Sequence, residues 1–491
     1  MPRTLAVAAC LLLSAGAGFA PARFDLTAAR RLSDLDAEEI VGSARIIDGA
    51  PVREVRFDST MWSPRGEPHP IRIQAFVALP PGPIEPHSKP AVVHAHGLGA
   101  AGDPEQAANL ARNLDVVALS ISAPGLGGSE GQGPTAEDPR PIFETIPDVR
   151  GSWLYAYTHA ILRAITYLQS RPEVDPQAIV VTGASMGGLA SFIAGGVDDR
   201  IRGVLPVSAS GGLARAAAEN TWFRRLVLSA GGLKPEDPAA RAFFRGLDPL
   251  AFAGRQKGAV YLLTGAQDEF FPLDQVVATW RALHAPAKSL AVVADYDHGW
   301  YFGFGCPARC MPSAPSSSAT APATETPAGS GAAPPPPCPR APTCPAACAD
   351  GAAPPYCGPE ASYNRLDDFN ARWALLLRAL VAQHAARPRR PFGPPPPAPF
   401  VARRRDQVVV RPVSLLALRA VRVAVSEDGG LTYGQFPLER APDGAYHLHR
   451  RVSDHAILLA ELEAEDGTVA SSVPILPRGF RPHVRPFGPH P

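Results

Sequence analysis

The sequence predicts an α/β protein with a mostly parallel sheet and helices on both faces, followed by a small C-terminal β-sandwich-like domain. Three observations predict it. Short apolar runs bounded by glycine alternate with stretches of helical periodicity through the middle of the chain. A pair of strand-like segments with period-two alternation precedes them. A proline-rich break then separates them from short alternating segments punctuated by Asp-Gly turns.

In order, Val52–Phe57 (VREVRF) and Ile71–Leu79 (IRIQAFVAL) read as two antiparallel strands at the sheet's edge. AVVHAHG (91–97) is a buried strand ending in glycine, DPEQAANLARNL (103–114) a helix, and DVVALSISAPG (115–125) a second buried strand. LYAYTHAILRAITYLQSRP is helical, AIVVTGAS a strand and LASFIAGG the helix leaving it. GVLPVSAS, AVYLLTGAQD and LAVVADYDHG are further strands. This alternation argues a parallel α/β sheet. Between 209 and 255 it is interrupted by helical sequence, read as a helical lid, with additional packing helices as the alternative. Leu366, Phe369, Trp373, Leu376, Leu377 and Leu380 share one helical face and mark the last helix of the α/β domain, at 361–387. The Pro-rich stretch 388–400 is a stiff linker. Segments such as VRVAVSEDGG and ILLAELEAEDG place an immunoglobulin-like sandwich at 401–480, before a tail at 481–491. His447 and His449 share a strand face there, read as an exposed polar face rather than a metal site.

Composition narrows the function classes. The 491 residues carry 47 basic and 46 acidic side chains, a net charge of +1, and the arginines are scattered. That balance offers no footprint for nucleic acid. A hydrophobic content of 46% can fill a large core, yet no second apolar segment is long enough to span a bilayer. The start, MPRTLAVAACLLLSAGAGFAPAR, has Arg3, an apolar run and small residues. It reads as a signal peptide over 1–22, cleaved after Ala22, and implies export to the periplasm or the medium. Val7–Cys10 (VAAC) resembles a lipoprotein box, but the apolar run continues past Cys10. The remaining cysteines, Cys306, Cys310, Cys338, Cys344, Cys348 and Cys357, all lie in a Pro/Ala/Ser-rich insert at 306–360. An even number in an exported chain reads as disulfides. Their spacings and the lack of histidine between them argue against zinc.

The chemistry centres on Ser185 in Gly183-Ala184-Ser185-Met186-Gly187, between a buried strand and a helix. That is the context of a nucleophile elbow. A serine hydroxyl needs a base and the base needs an acid. His298 (DYDHGW) and Asp268 (TGAQDEFFP) each follow a strand. The order Ser, Asp, His with every member at a strand terminus points to acyl-transfer chemistry. Glu269, Asp295 and Asp297 are rival acids; Asp297 is adjacent to the histidine, Asp295 could at most brace its loop, and the G-x-x-D-x-x-x-P spacing from Gly265 to Pro272 selects Asp268. The backbone amides of Met186 and of Leu98, in HAHGLG, are the candidate oxyanion donors. His94 and His96 make only two ligands, so no metal and no cofactor is implied.

At HAHGLG, SAPGLGGSEG, AITYLQSRPEVD, VTGASMGG, TGAQDEFFP and DYDHGW the chain resembles the α/β-hydrolase superfamily. Within it, the chain is similar to the acetyl xylan esterase and dienelactone hydrolase-like group, which is related to prolyl oligopeptidase-type catalytic domains. The resemblance covers Arg45 to Phe304 and the helix at 363–386, inside a hydrolase domain drawn at 23–305. It implies the α/β-hydrolase fold and an exported serine hydrolase acting on a small-molecule or carbohydrate-linked carboxylic ester. Where acetyl xylan esterases carry an Arg-Gly-Gln signature, this chain has PGLGGSEGQG, a departure at the xylan-specific feature. A serine peptidase of prolyl oligopeptidase type would share the triad but usually carries a propeller ahead of it. A non-catalytic binding protein on this fold would be expected to lack a triad member, and none is missing. The C-terminal β-domain lies outside the resemblance and is a candidate for polymer or surface contact.

Overall fold

The computed structural model describes residues 21–135, 137–219, 221–294, 296–298, 366–385, 398–404, 406–414, 416–430 and 432–482. Residues 1–20 of the expected signal peptide at 1–22 and all six insert cysteines lie outside the described residues, as does the expected linker through residue 397.

The chain enters through α1 (Leu26–Arg30), β1 (Glu38–Glu39) and β2 (Arg45–Ile47), then the long hairpin β3 (Ala50–Trp62) and β4 (Pro68–Ala78). There follow β5 (Lys89–Ala95), α2 (Pro104–Leu114), β6 (Val117–Ile121), α3 (Trp153–Ser170), β7 (Val174–Ala184) and α4 (Met186–Val197). Then come β8 (Ile201–Val207), α5 (Leu213–Ala218), α6 (Pro238–Leu247), β9 (Ala259–Gly265), α7 (Leu273–Ala282), β10 (Lys288–Val293) and α8 (Leu366–Ala385). The described C-terminal strands are β11 (Ala398–Arg403), β12 (Val408–Val413), β13 (Leu418–Ser426), β14 (Gly434–Pro437), β15 (Tyr446–Leu448), β16 (Ile457–Ala464) and β17 (Val469–Ser471).

The large sheet runs β1-β3-β4-β6-β5-β7-β8-β9-β10, with β2 on β3. From β6 to β10 every pairing is parallel, while β3, β4 and β6 are joined antiparallel. The sequence shows why. β3 and β4 alternate buried and partly exposed residues, whereas β6, β9 and nearly all of β5 and β8 are continuous buried runs. Only a strand covered on both faces reads that way. α3 and α4 supply the core on one face; α2 and α8 supply it on the other. Trp373 of α8 docks by donating its indole N–H to Thr182 Oγ1 of β7, 3.0 Å away.

Lettered A to G, the C-terminal strands form sheets A-B-E and D-C-F-G. The two antiparallel sheets make a small β-sandwich-like domain in which strand D pairs with C rather than with E. It packs on the last strand of the large sheet. Val292 of β10 donates its N–H to Ser471 Oγ (2.9 Å), and Ser471 Oγ donates back to Val292 O (3.3 Å). An ionic ladder reinforces the junction: Arg372 of α8 pairs with Glu461, which Arg422 also binds at 2.9 Å before reaching Glu463 at 2.8 Å. His447 of β15 is engaged by Gln407 and Asp443 and stacks on His449 at 5.7 Å.

Candidate active site

Two neighbouring strands leave the sheet in opposite directions. From β5 the chain crosses to β6 on one side, and from β7 it crosses to β8 on the other. Such a switch point opens a crevice at the strands' carboxyl ends. The loop after β5 carries His96 to Gly99, and the turn after β7 carries Ser185.

Ser185 adopts φ +54° and ψ −120°, a conformation that disfavours any side chain but lifts the hydroxyl clear of the strand. Its N–H donates to Val207 O (2.9 Å), which ties the turn to β8. The turn works only with glycine on either side. A Cβ at Gly183 would lie 2.6 Å from Ala95 O, and one at Gly187 would lie 2.2 Å from it. α4 starts at Met186, so the Met186 N–H is one of the first-turn donors with no partner inside the helix.

Three of the residues singled out in the sequence meet here. Ser185 Oγ lies 2.9 Å from His298 Nε2, and His298 Nδ1 lies 2.9 Å from Asp268 Oδ2. A carboxylate only accepts, so Nδ1 carries the proton and Nε2 is left to accept from the serine hydroxyl. Asp268 is itself fixed: its Oδ1 accepts from the N–H groups of Phe270 and Phe271, both at 2.9 Å. Its side chain is fully buried, and that of His298 is 11% exposed. Neither Glu269 nor Asp297 takes this place; both are buried, but the carboxylate on His298 Nδ1 is that of Asp268, and Asp295 lies outside the described residues.

The two supporting loops are cross-braced. Ala266 N–H donates to Val293 O (2.9 Å) and Gln267 N–H to Tyr296 O (3.0 Å), so the acid loop and the histidine loop move as one. Tyr296 stacks on Phe369 of α8 at 4.1 Å.

His94 and His96 serve the scaffold. His96 Nε2 accepts from Ala123 N–H (2.9 Å), which leaves Nδ1 to donate to Gly97 O (2.7 Å). Both nitrogens are thus spent on shaping the loop that carries Leu98. Tyr157, fully buried on α3, donates its hydroxyl to His96 O (3.0 Å). Burial lowers the pKa of His96 and pushes that of His94 down to about 4, so both stay neutral. Among the described residues no cluster of three or more metal-ligating side chains occurs.

Sequence reasoning missed the aromatic wall. Phe270 lies 4.5 Å from the His298 ring, and Trp222 meets Phe270 edge-on at 5.5 Å. Trp222 belongs to the helical interruption between β8 and β9, and its N–H donates to Glu269 O (3.0 Å). The paired phenylalanines beside Asp268 were the available signal, but nothing local ties them to a tryptophan so far upstream.

No protein-family model matches the chain. Over 136 residues, 27% of its length, the chain is 30% identical to the acetyl esterase Axe7A of Xylanibacter ruminicola. It spans 30% of that relative. An acetyl xylan esterase from Paenibacillus sp. R4 shares 24% identity over 56% of this chain and 86% of its own, with a TM-score of 0.45. Acetyl xylan esterase 1 from Thermoanaerobacterium sp. shares 21% over 58% and 92%, with a TM-score of 0.45. No helix among the described residues is long and apolar enough to cross a membrane. The topology that sets Ser185 at a sharp turn between two diverging strands is that of the α/β-hydrolase fold, and a stretch of the chain is similar in sequence to the acetyl esterase Axe7A.

Proposed function

We propose that the protein is an exported serine hydrolase of carboxylic esters, working through a covalent acyl-enzyme. The observation that carries the reading is the unbroken relay from Ser185 Oγ through His298 to Asp268, with both links at 2.9 Å. Ser185 Oγ attacks the ester carbonyl carbon while His298 Nε2 takes its proton. The tetrahedral oxyanion sits against the amides of Met186 and Leu98, at the positive end of α4. Collapse breaks the bond to the alcohol oxygen, which leaves with the proton from His298. Water then repeats the sequence on the acyl-serine, releasing the acid and restoring the hydroxyl. Asp268 holds the imidazole in the required tautomer and stabilises the imidazolium. These steps need no cofactor.

The helical interruption over 209–255 acts as a lid, since its Trp222 leans on the Phe270 that packs against His298. The six insert cysteines form three disulfides within 306–357, in keeping with export. The substrate is a small-molecule or carbohydrate-linked ester, and the β-sandwich offers a surface for a polymer. A panel of chromogenic esters of rising acyl length, with a peptide anilide as comparison and Ser185→Ala as the blank, tests the reading. Ester cleavage that vanishes in Ser185→Ala is expected. Cleavage of the anilide in preference to every ester would contradict it.

A further inference from the structure

A cleft of about 530 Å³ opens between the N-terminal segment, the end of β3 and the start of α3. That volume falls in the usual range for ligand sites, roughly 300–1,000 Å³. Its walls are aromatic. Trp62 meets Tyr155 edge-on at 5.0 Å and His159 likewise at 5.0 Å, while Phe24 stacks on Tyr155 at 4.2 Å.

His159 is 3% exposed and lines the cleft. Its Nδ1 lies 3.1 Å from Ser59 Oγ, which fixes the ring. Its Nε2 meets no donor or acceptor of the protein among the described residues. That atom is the ring's free hydrogen-bonding group, and it faces an opening large enough for a ligand.

The charges around the cleft cancel. Arg23, Arg150 and Arg163 stand against Asp25, Asp34 and Asp58. Two of the arginines are also committed elsewhere: Arg150 binds Asp148 at 2.7 Å, and Arg163 holds the carbonyls of Asp58, Ala28, Ala29 and Arg31. Burial and the neighbouring Arg163 lower the pKa of His159 to about 3, so the ring adds no charge. Flat apolar faces edged by neutral and charge-balanced hydrogen-bonding groups suit a ring with hydroxyls on its rim and C–H groups on its faces.

The position fits a polymer. The register runs level from Gly183 through Ala95, Ile121 and Ala75 to Val55, so Ser59 to Trp62 lie beyond that level, on the same side of the sheet as Ser185. Four strand spacings separate β7 from β3, roughly 19 Å at the usual separation.

We propose that this cleft is a second binding site, for a neutral oligosaccharide, with Trp62 as its platform and His159 as its buried polar anchor. Its use as a distal subsite for a saccharide ester held at Ser185 rests on the esterase reading; the binding itself does not. The test is titration calorimetry on the full chain carrying Ser185→Ala, so that no turnover is needed and the esterase reading can fail separately. Neutral xylo-, gluco- and manno-oligosaccharides are compared with oligogalacturonate and inorganic phosphate. Saturable millimolar or tighter binding of a neutral series is expected. It should weaken roughly tenfold or more in His159→Leu and in Trp62→Leu, and less in His159→Gln, which keeps a hydrogen-bonding group at the anchor. Melting curves show whether each variant is folded, and His159→Gln serves if His159→Leu is not. Absence of binding by every neutral series, binding that none of the substitutions alters, or tighter binding of a charged series overturns the proposal.

Discussion

Replacing Asp268 by asparagine exchanges one carboxylate oxygen for an amide group and tests the relay at its least forgiving point. Asp268 Oδ1 accepts from two backbone N–H groups and Oδ2 from the imidazole. In Asp268→Asn the amide oxygen keeps the two backbone bonds, because only an acceptor satisfies them. The amide nitrogen then faces His298 Nδ1 and can only donate. The imidazole must turn its lone pair to Nδ1 and its proton to Nε2, where it can no longer accept from Ser185. The fold survives, since the bonds that shape the loop are kept, but the base is lost. A wrong tautomer of this kind costs roughly 10⁴ in kcat, about 5 kcal/mol of transition-state stabilisation. KM should move little, because the acid is buried behind the histidine. Glu269→Gln changes a carboxylate that is not on the imidazole and should cost roughly tenfold at most, about 1.4 kcal/mol. The assay is steady-state hydrolysis of a chromogenic ester by both variants, with circular dichroism to verify folding. The reasoning is refuted if Glu269→Gln is the more damaged of the two.

Mass spectrometry of the exported, unreduced protein should find no free thiol among Cys306, Cys310, Cys338, Cys344, Cys348 and Cys357; stoichiometric zinc there would contradict the disulfide reading. Ser471→Ala removes the acceptor of the buried Val292 N–H and should cost about 1–3 kcal/mol, read as a fall of several degrees in Tm. Burial holds the pKa of His94 at about 4, below the ordinary value near 6.5, so the unfolded chain binds more protons than the folded one between those limits. Stability should therefore be full above about pH 6.5 and fall as the pH drops toward 4, a slope that denaturant titrations should find shallower in His94→Asn.

What the sequence disclosed was what local pattern encodes. Period-two alternation marked β3 and β4, continuous apolar runs marked the parallel strands, and the glycines around Ser185 marked the elbow. The meeting of Asp268 and His298 with Ser185 was legible because each sits just past a buried strand, a position that a linear reading can find. The exchange of β5 and β6 in the sheet was not legible, since strand order is decided by which crossover buries more apolar surface, not by any one segment. Neither was the N-terminal segment. Nothing near Ala28 and Ala29 announces that a buried Arg163 on α3 will cap their carbonyls. Ser471 looks like any strand-end serine, yet it occupies both backbone groups of Val292 on the sheet's last strand. The strand order of the β-sandwich was equally silent, because a short strand such as β14 fits the edge of either sheet. Contacts between distant segments leave no periodicity to read.

The central claim is that Ser185 is a nucleophile activated by His298. A fluorophosphonate reacts only with such an activated hydroxyl, so the direct measurement is labelling of the purified protein followed by peptide mapping. A single adduct on Ser185, absent from Ser185→Ala and strongly slowed in His298→Ala, is the expected result. Labelling that persists in Ser185→Ala, or a folded wild-type protein that takes up no label, would contradict the claim.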